Sequence, residues 1–296
     1  MRKDIVVTIV LLLLCMTACS KEDYFDNYTS IDYNDWEWDN NEDSLEIGTI
    51  TIGQWNIGHF SGGRKTNSDI DGRLYISMVK EYSSLISNIN PIVFSINEYS
   101  LYFGTDENGE KHEASNVLFN GYENQYVGHQ SRYSCNAIFS QIPLYECSEI
   151  DYLCNQTAQI THTNLIKPTD YYLIESSINV NGTPTKLVST HLAFDKYNED
   201  VAKNQIIEII DRYRDDDYVI LCGDWNIKDV SIFNLFVVAG YQLANHGIHG
   251  DFVTYGKGSL LDNIIVKGYS VEKVKTINTY LSDHKPIVAK LKIKTL

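Results

Sequence analysis

The chain has 296 residues and a formal net charge of −15, with 24 Lys and Arg against 39 Asp and Glu. An acidic balance with no visible basic stripe argues against tight non-specific binding of nucleic acid through phosphate contacts. It still allows phosphate chemistry if a cation sits between protein and substrate, because a bound ion reverses the local charge. Of the six cysteines, Cys15 and Cys19 fall near the N-terminus, and Cys135, Cys147, Cys154 and Cys222 form no CxxC pair, so a zinc site has little support.

Arg2-Lys3 precede an apolar run from Ile5 to Leu14, too short to span a bilayer and suited to the core of a signal peptide. The run leads to Met16-Thr17-Ala18-Cys19, which resembles a bacterial lipoprotein signal in which Cys19 becomes lipidated. Met16 departs from the leucine usual there, and cleavage as an ordinary secretory signal near Ala18 is the alternative. Residues 20–44 hold nine acidic residues and one Lys among six aromatics, with no helical or strand period, and read as a flexible tether. Ser20-Lys21-Glu22-Asp23 resembles the acidic export signal of surface lipoproteins in some Gram-negative bacteria. The expected location is therefore the outer membrane, through a lipid anchor and facing outward, with a periplasmic or secreted protein as the alternative. Residues 1–19 carry +1 and the tether −8, which leaves −8 for a single domain over 45–296.

Within that domain strands and helices alternate. Ile47 to Trp55 reads as a strand, Asp71 to Asn88 as an amphipathic helix stopped before Pro91, and Ile92 to Ile96 as a second strand followed by Asn97-Glu98. Residues 99 to 135 are polar and aromatic, with weak strand character from Val117 to Tyr122, before a strand at Asn136 to Ser140. Tyr171 to Val180 and Thr185 to Leu192 form a hairpin about Asn181-Gly182. Val201 to Tyr213 reads as a helix, Val219 to Cys222 as a buried strand, Ser231 to Ala239 as a short helix, and Leu260 to Val266 and Ile287 to Ile293 as the closing strands. Cys147 and Cys154 could pair in an oxidising compartment, and Cys222 reads as a buried thiol.

Gly223-Asp224-Trp225-Asn226, taken alone, is ordinary turn chemistry. On an extended backbone, however, Asp224 and Asn226 would point to one side at the mouth of a strand, where α/β sheets place ligands. The same pattern recurs. Asn56, Glu98, His191 and the pair Asp283-His284 each follow an apolar run, and Asp262 lies within one. Each has a plain reading as a cap, a turn or a satisfied polar group. Together they suggest one pocket lined by strand ends.

The ordered blocks Trp55-Asn56-Ile57, Asn97-Glu98, Asn136-Ala137-Ile138-Phe139-Ser140, Ser189-Thr190-His191-Leu192, Gly223-Asp224-Trp225-Asn226, Leu261-Asp262-Asn263-Ile264 and Ser282-Asp283-His284-Lys285-Pro286 resemble the endonuclease/exonuclease/phosphatase family, with its deoxyribonuclease I-like fold. The resemblance spans about residues 48 to 294 and implies an α/β four-layer sandwich, two packed mixed β-sheets flanked by helices. It implies hydrolysis of phosphodiester or phosphomonoester bonds with Mg²⁺, or Mn²⁺ or Ca²⁺ in its place, held by hard oxygen donors. Carried over by position, Asn56, Glu98 and Asp283 would serve the metal. His191, Asp224, Asn226, Asp262 and His284 would be catalytic. Asp224 and Asn226 would orient the water or phosphate, Asp262 would fix the His284 ring, and His191 would steady developing charge.

A nuclease is the favoured activity. A phospholipid or inositol-phosphate phosphatase and a sphingomyelinase-like phosphodiesterase are alternatives, and a binding lipoprotein that has lost catalysis is another. The expected partner is a phosphate ester, either nucleic acid, phospholipid or a phosphorylated small molecule; no protein partner is implied. Tyr99, Tyr102, Arg132 and Tyr133 are candidate substrate contacts. Asn263 departs from the aromatic residue usual after the embedded aspartate, and His59, His129, His246 and His249 have no assigned role.

Overall fold

The computed structural model describes residues 47–60, 76–105, 111–131, 135–156, 170–194, 199–245, 253–256 and 259–294. The expected signal segment (1–19, with Cys19) and the expected tether (20–44), Arg132, Tyr133, His246 and His249 lie outside the described residues. The first half contains β1 (Thr49–Asn56), α1 (Ile76–Ile89), β2 (Val93–Asn97), β3 (Tyr102–Thr105), β4 (Lys111–Glu113), α2 (Ala114–Leu118), β5 (Asn124–Val127), β6 (Ala137–Ser140) and β7 (Tyr145–Asp151). The second contains β8 (Tyr172–Val180), β9 (Thr183–His191), α3 (Glu199–Arg212), β10 (Val219–Asp224), α4 (Asn234–Val238), β11 (Gln242–Leu243), β12 (Asp262–Lys267), β13 (Tyr269–Thr276) and β14 (Ile287–Ile293).

Twelve of these strands build two six-stranded sheets, ordered β13-β14-β1-β2-β6-β5 and β11-β12-β10-β9-β8-β7, and β3 and β4 pair as a separate two-stranded sheet. Ile52, Val93 and Ile138 of the first sheet meet Leu187, Ile220, Cys222 and Ile264 of the second in a sheet-on-sheet core. On the outer face of the first sheet, Met78, Tyr82, Leu85, Ile86 and Ile89 of α1 cover Phe94, Ile96 and Phe139. Across the molecule, Val201, Ala202, Ile206 and Ile209 of α3 cover Val188, Leu221 and Ile265. Four layers result, as the sequence implies. The β10 segment reads as an unbroken apolar run because both its faces are covered.

The pairing pattern positions the site. Among the described strands, the parallel pairs are β1 with β2 and β9 with β10, one in each sheet. Their registers end at Asn56 opposite Asn97 and at Asp224 opposite His191. Antiparallel β12 then sets Asp262 opposite Asp224. Polar residues far apart in sequence therefore gather at one end of the sandwich. Gly223 is required for this close fit, since a Cβ there would stand 2.4 Å from the Thr190 carbonyl oxygen on the neighbouring strand.

Several local readings change. Residues 117 to 122 are not a strand: α2 and the turn after it bury Leu118 and Phe119 against the α1 face. A short apolar run does not reveal its period, and here helical packing decided. The Ser231 to Ala239 helix divides into a 3₁₀ turn over Val230–Phe233, capped by Asp229 Oδ1 on the Ser231 amide at 3.0 Å, and the shorter α4. Asn181 and Gly182 do turn the β8–β9 hairpin, with φ of 50° and 89°. Among the described residues Cys135, Cys147, Cys154 and Cys222 are free thiols, so Cys147 and Cys154 are not joined. Among the described residues, no helix is long and apolar enough to cross a membrane.

Candidate active site

One carboxylate oxygen is the centre of the site. Oδ2 of Asp224, on a side chain only 2% exposed, accepts a 2.9 Å hydrogen bond from Asn56 Nδ2. The same oxygen lies 3.5 Å from His191 Nε2 and 3.7 Å from His284 Nε2. Three elements from two sheets thus converge on a single atom. Backbone and side-chain bonds fix Asp224 in turn: its amide donates to Asn97 Oδ1 at 2.8 Å, and its Oδ1 accepts from the Asn226 amide at 3.0 Å.

The Asn226 geometry differs from the extended pair expected from sequence. Asn226 has φ of 52°, so the chain leaves the strand in a left-handed turn in which the Asp224 side chain caps the Asn226 amide. Asn226 Nδ2 donates to the Leu192 carbonyl at 2.9 Å, which ties the β9 and β10 ends together. The turn chemistry and the site are one structure.

Behind His284 stands Asp262, wholly buried, with Oδ2 2.7 Å from the ring Nδ1. Burial opposes a charged imidazole, but the Asp262 and Asp224 carboxylates outweigh it and push His284 up to about 10. Burial likewise pushes the Asp262 carboxyl up, while His284 pulls it back. The pair therefore holds a proton tightly on the ring side. Asp283, half-buried beside it, adds its charge to His284 in the same upward direction. The Ser282 hydroxyl accepts from the His284 amide at 3.1 Å and donates to the Asn56 carbonyl at 2.8 Å, while Trp55 Nε1 donates to the His284 carbonyl at 3.0 Å. These bonds lock the His284 loop to the end of β1.

Glu98 forms the more open side. Its side chain is 31% exposed, and its Oε1 accepts from Asn56 Nδ2 at 3.1 Å. Asn56 Oδ1 is taken by the Gly58 amide at 3.1 Å, so Asn56 turns nitrogen rather than oxygen toward both carboxylates. In this geometry Asn56 holds Glu98 and Asp224 together as a donor bridge. Glu98 Oε2 lies 3.8 Å from His59 Nε2, and with Oε1 engaged by Asn56 it is the carboxylate oxygen that could take a cation. An exposed hard oxygen beside a buried acidic cluster suits Mg²⁺, which binds few protein oxygens and keeps several waters. Asp224, Asp262 and His284 also lie close enough together to form a second group of metal-type donors.

Glu98 and His59 both sit at positive φ, 50° and 51°. Such backbone costs about 1–3 kcal/mol per residue and persists only where the surroundings over-determine it. Here the Ile57 and His59 amides donate to the carbonyls of Asn97 and Glu98, each at 2.9 Å. Phe60 is wedged edge-on against Tyr82 and Tyr99.

Other residues support the site without a sequence signal strong enough to single them out. Asn97 Oδ1 also accepts from Gln54 Nε2 at 2.7 Å, and Asn97 Nδ2 donates to Asn136 Oδ1 at 2.8 Å. Ser95 bridges the sheets, donating to Gln54 Oε1 and lying 2.7 Å from Ser189 Oγ. Tyr255 packs over His284 with ring centroids 4.7 Å apart, and the neighbouring Thr254 Oγ1 accepts the amides of Leu261 and Asp262 at 3.0 Å. A Thr-Tyr pair ahead of the Asp262 strand was the available signal. Asn263, in place of an aromatic, donates to Asn245 Oδ1 at 3.2 Å.

Of the candidate substrate contacts, Tyr99 is a core residue, 1% exposed, whereas Tyr102 is 44% exposed. His59, left without a role by sequence, belongs to the site. His129 does not contribute to the Asp224 cluster; it pairs with Glu149 at 2.5 Å and stacks on Tyr172.

A two-sheet sandwich flanked by helices, with acidic and imidazole side chains gathered at one end, is the deoxyribonuclease I-like α/β sandwich. The model of the endonuclease/exonuclease/phosphatase family matches residues 53–284, and the chain belongs to that family, whose members hydrolyse phosphoester bonds. No curated protein matches the sequence. Among solved structures, the chain is similar to an endonuclease/exonuclease/phosphatase from Beutenbergia cavernae, with TM-score 0.63 and 14% identity over 83% of this chain and 72% of that one. It is similar to the human nocturnin catalytic domain with bound sulfate, with TM-score 0.60 and 16% identity over 84% of this chain and 96% of that one. Danio rerio TDP2 complexed with a single-strand DNA product gives TM-score 0.59 and 16% identity over 82% of this chain and 99% of that one. At these identities the likeness establishes the fold.

Proposed function

We propose that the protein is a divalent-cation-dependent phosphodiesterase acting outside the cytoplasm, with nucleic acid as its substrate class. The observation that carries this reading is the convergence of Asn56, His191 and His284 on Asp224 Oδ2. A carboxylate so placed can accept the proton of an attacking water. His191 and His284 present Nε2 hydrogens to a phosphate oxygen and steady the charge that builds on it. Asp262 holds the His284 Nδ1 hydrogen and fixes the orientation of the ring. Because the Asp262 and Asp224 carboxylates outweigh burial and hold His284 protonated, it serves as electrostatic partner or acid, and Asp224 as base. Asn226 shapes the turn that aims Asp224.

Glu98 would hold the cation, with Asp283 assisting from the loop before His284 and Asn56 steadying Glu98 through its amide. When bound, the cation supplies Lewis-acid polarisation of the phosphate and offsets the acidic charge of the site. Nucleic acid is favoured by the exposed Tyr102, four residues after Glu98, which offers a base a stacking face. The fold neighbour solved with a single-strand DNA product points the same way. The leader and tether fit a surface lipoprotein anchored through Cys19, and Cys19→Ala should release the protein from the membrane fraction.

The test is EDTA-sensitive turnover of plasmid DNA, RNA, bis-p-nitrophenyl phosphate, sphingomyelin and inositol phosphates side by side. Cleavage of DNA or RNA and of the diester, lost with EDTA and in Asp224→Asn, is expected. Preference for sphingomyelin or inositol phosphates would contradict the substrate class, and no turnover of any of them would leave a binding protein.

A further inference from the structure

Two residues beyond Asn56 the chain makes three successive left-handed residues, Gly58, His59 and Phe60, with φ of 61°, 51° and 57°. Each side of this turn is fixed. Asn56 Oδ1 holds the Gly58 amide, the Glu98 carbonyl holds the His59 amide, and Phe60 is fully buried. The one side chain left facing outward is His59, 27% exposed. Its ring is oriented from behind, with Nδ1 3.1 Å from Ser100 Oγ, so Nε2 is aimed at Glu98 Oε2, 3.8 Å away. That spacing is too long for a hydrogen bond. It is within reach of two donors sharing one cation, which at donor–metal lengths of about 2.1 Å stand up to about 4.2 Å apart. Ser100 can take the Nδ1 hydrogen, which leaves the Nε2 lone pair free to ligate; metal-bound histidines are commonly oriented in this way.

We infer that His59 Nε2 and Glu98 Oε2 form a mixed nitrogen–oxygen pair for one divalent cation, so that this site favours a first-row transition ion such as Mn²⁺ over Mg²⁺. The inference rests on the proposed cation-dependent reading and goes beyond it in naming a nitrogen ligand and the ion class it selects. Imidazole nitrogen ranks the transition ions above Mg²⁺, whereas an all-oxygen shell does not. A structural role for His59 does not account for the ring orientation: a turn residue at positive φ needs no side chain aimed at a carboxylate, and Asn or Gly would hold the backbone at lower cost.

The experiment is Mn²⁺ binding to the full chain, followed by titration and by pulsed electron paramagnetic resonance for nitrogen coupled directly to the ion. His59→Asn, which tolerates the left-handed backbone and is too short to reach, is compared with Glu98→Gln, and melting temperatures without metal establish that both are folded. The wild-type chain is expected to show a coupled ring nitrogen. His59→Asn should lose that coupling and bind Mn²⁺ about tenfold or more weakly, with a smaller change for Mg²⁺. A Mn²⁺ shell of oxygens only, or a nitrogen coupling that survives in His59→Asn, would overturn the inference while leaving a cation at Glu98. Cation binding that is absent, or indifferent to Glu98→Gln, would overturn the cation-dependent reading itself and this inference with it.

Discussion

The two sides of the site are built to different specifications. On the Asp224 side, Asp224, Asp262, His191 and His284 are all nearly inaccessible, and β9, β10, β12 and the loop ahead of β14 clamp them. On the Glu98 side, Glu98 and His59 are about a third and a quarter exposed, on turns at strained backbone angles. Burial strengthens charge interactions and shifts proton affinities, so the Asp224 side suits proton handling. Exposed oxygens that need not be desolvated twice suit a hydrated cation and the phosphate it carries. The contrast divides the proposed roles by burial: proton handling inside, cation and phosphate at the rim. Asn56 joins the two sides, donating one amide group to both carboxylates.

The largest effect should come from the buried side. Asp224→Asn and His284→Ala are expected to lower kcat on bis-p-nitrophenyl phosphate by about 10²–10⁴-fold, as removal of a general base or acid does. Near-normal turnover by either would break the division. Next is the network that holds Asp224. Asn97→Ala leaves the Asp224 amide, the Gln54 amide and the Asn136 carbonyl without their partner, at about 1–3 kcal/mol for each buried group. Both chemical denaturation midpoint and kcat should fall, and a loss of stability with kcat intact would mean the network serves only the fold. Gly223→Ala drives a Cβ onto the Thr190 carbonyl and should cost about 1–3 kcal/mol, read from the same denaturation curves.

The last effect is a dependence on pH. His284 is raised in the folded protein from an ordinary value of about 6.5 to about 10, by carboxylates that outweigh its burial. A raised value stabilises the folded state fully below the unfolded pKa and loses that contribution as pH climbs through the folded one. Metal-free wild-type protein should therefore lose melting temperature between pH 6.5 and 10 more steeply than His284→Gln. Parallel curves would show that the pair does not hold its proton.

Much of this was legible in the chain. The apolar runs located the central strands, because strands buried on both faces leave continuous hydrophobic stretches. Asn181-Gly182 announced its hairpin, and the polar residues ending each run announced the site. The edges were not legible. β7, with sequence YECSEID, and β13, with YSVEKVKT, are charged and half-exposed, and edge strands carry such residues as protection against pairing with other chains. His59 was silent for another reason: a left-handed turn places it, and no periodicity reports on φ at one residue. Asn97 was hidden beside the more conspicuous Glu98, since one buried amide serving three partners looks like any turn residue in sequence. The Asx turn at Asp224 was visible as turn chemistry, and it joined the candidate site only when β9 and β12 brought His191 and Asp262 to it.

The division between the two sides is tested most directly by the Mg²⁺ dependence of diester hydrolysis in Glu98→Gln and His284→Ala. Glu98→Gln should move the half-saturating Mg²⁺ concentration upward by an order of magnitude or more. His284→Ala should leave that midpoint in place and lower kcat at saturating Mg²⁺. If both substitutions moved the Mg²⁺ midpoint alike, or neither did, the cation would not reside on the Glu98 side and the account would be wrong.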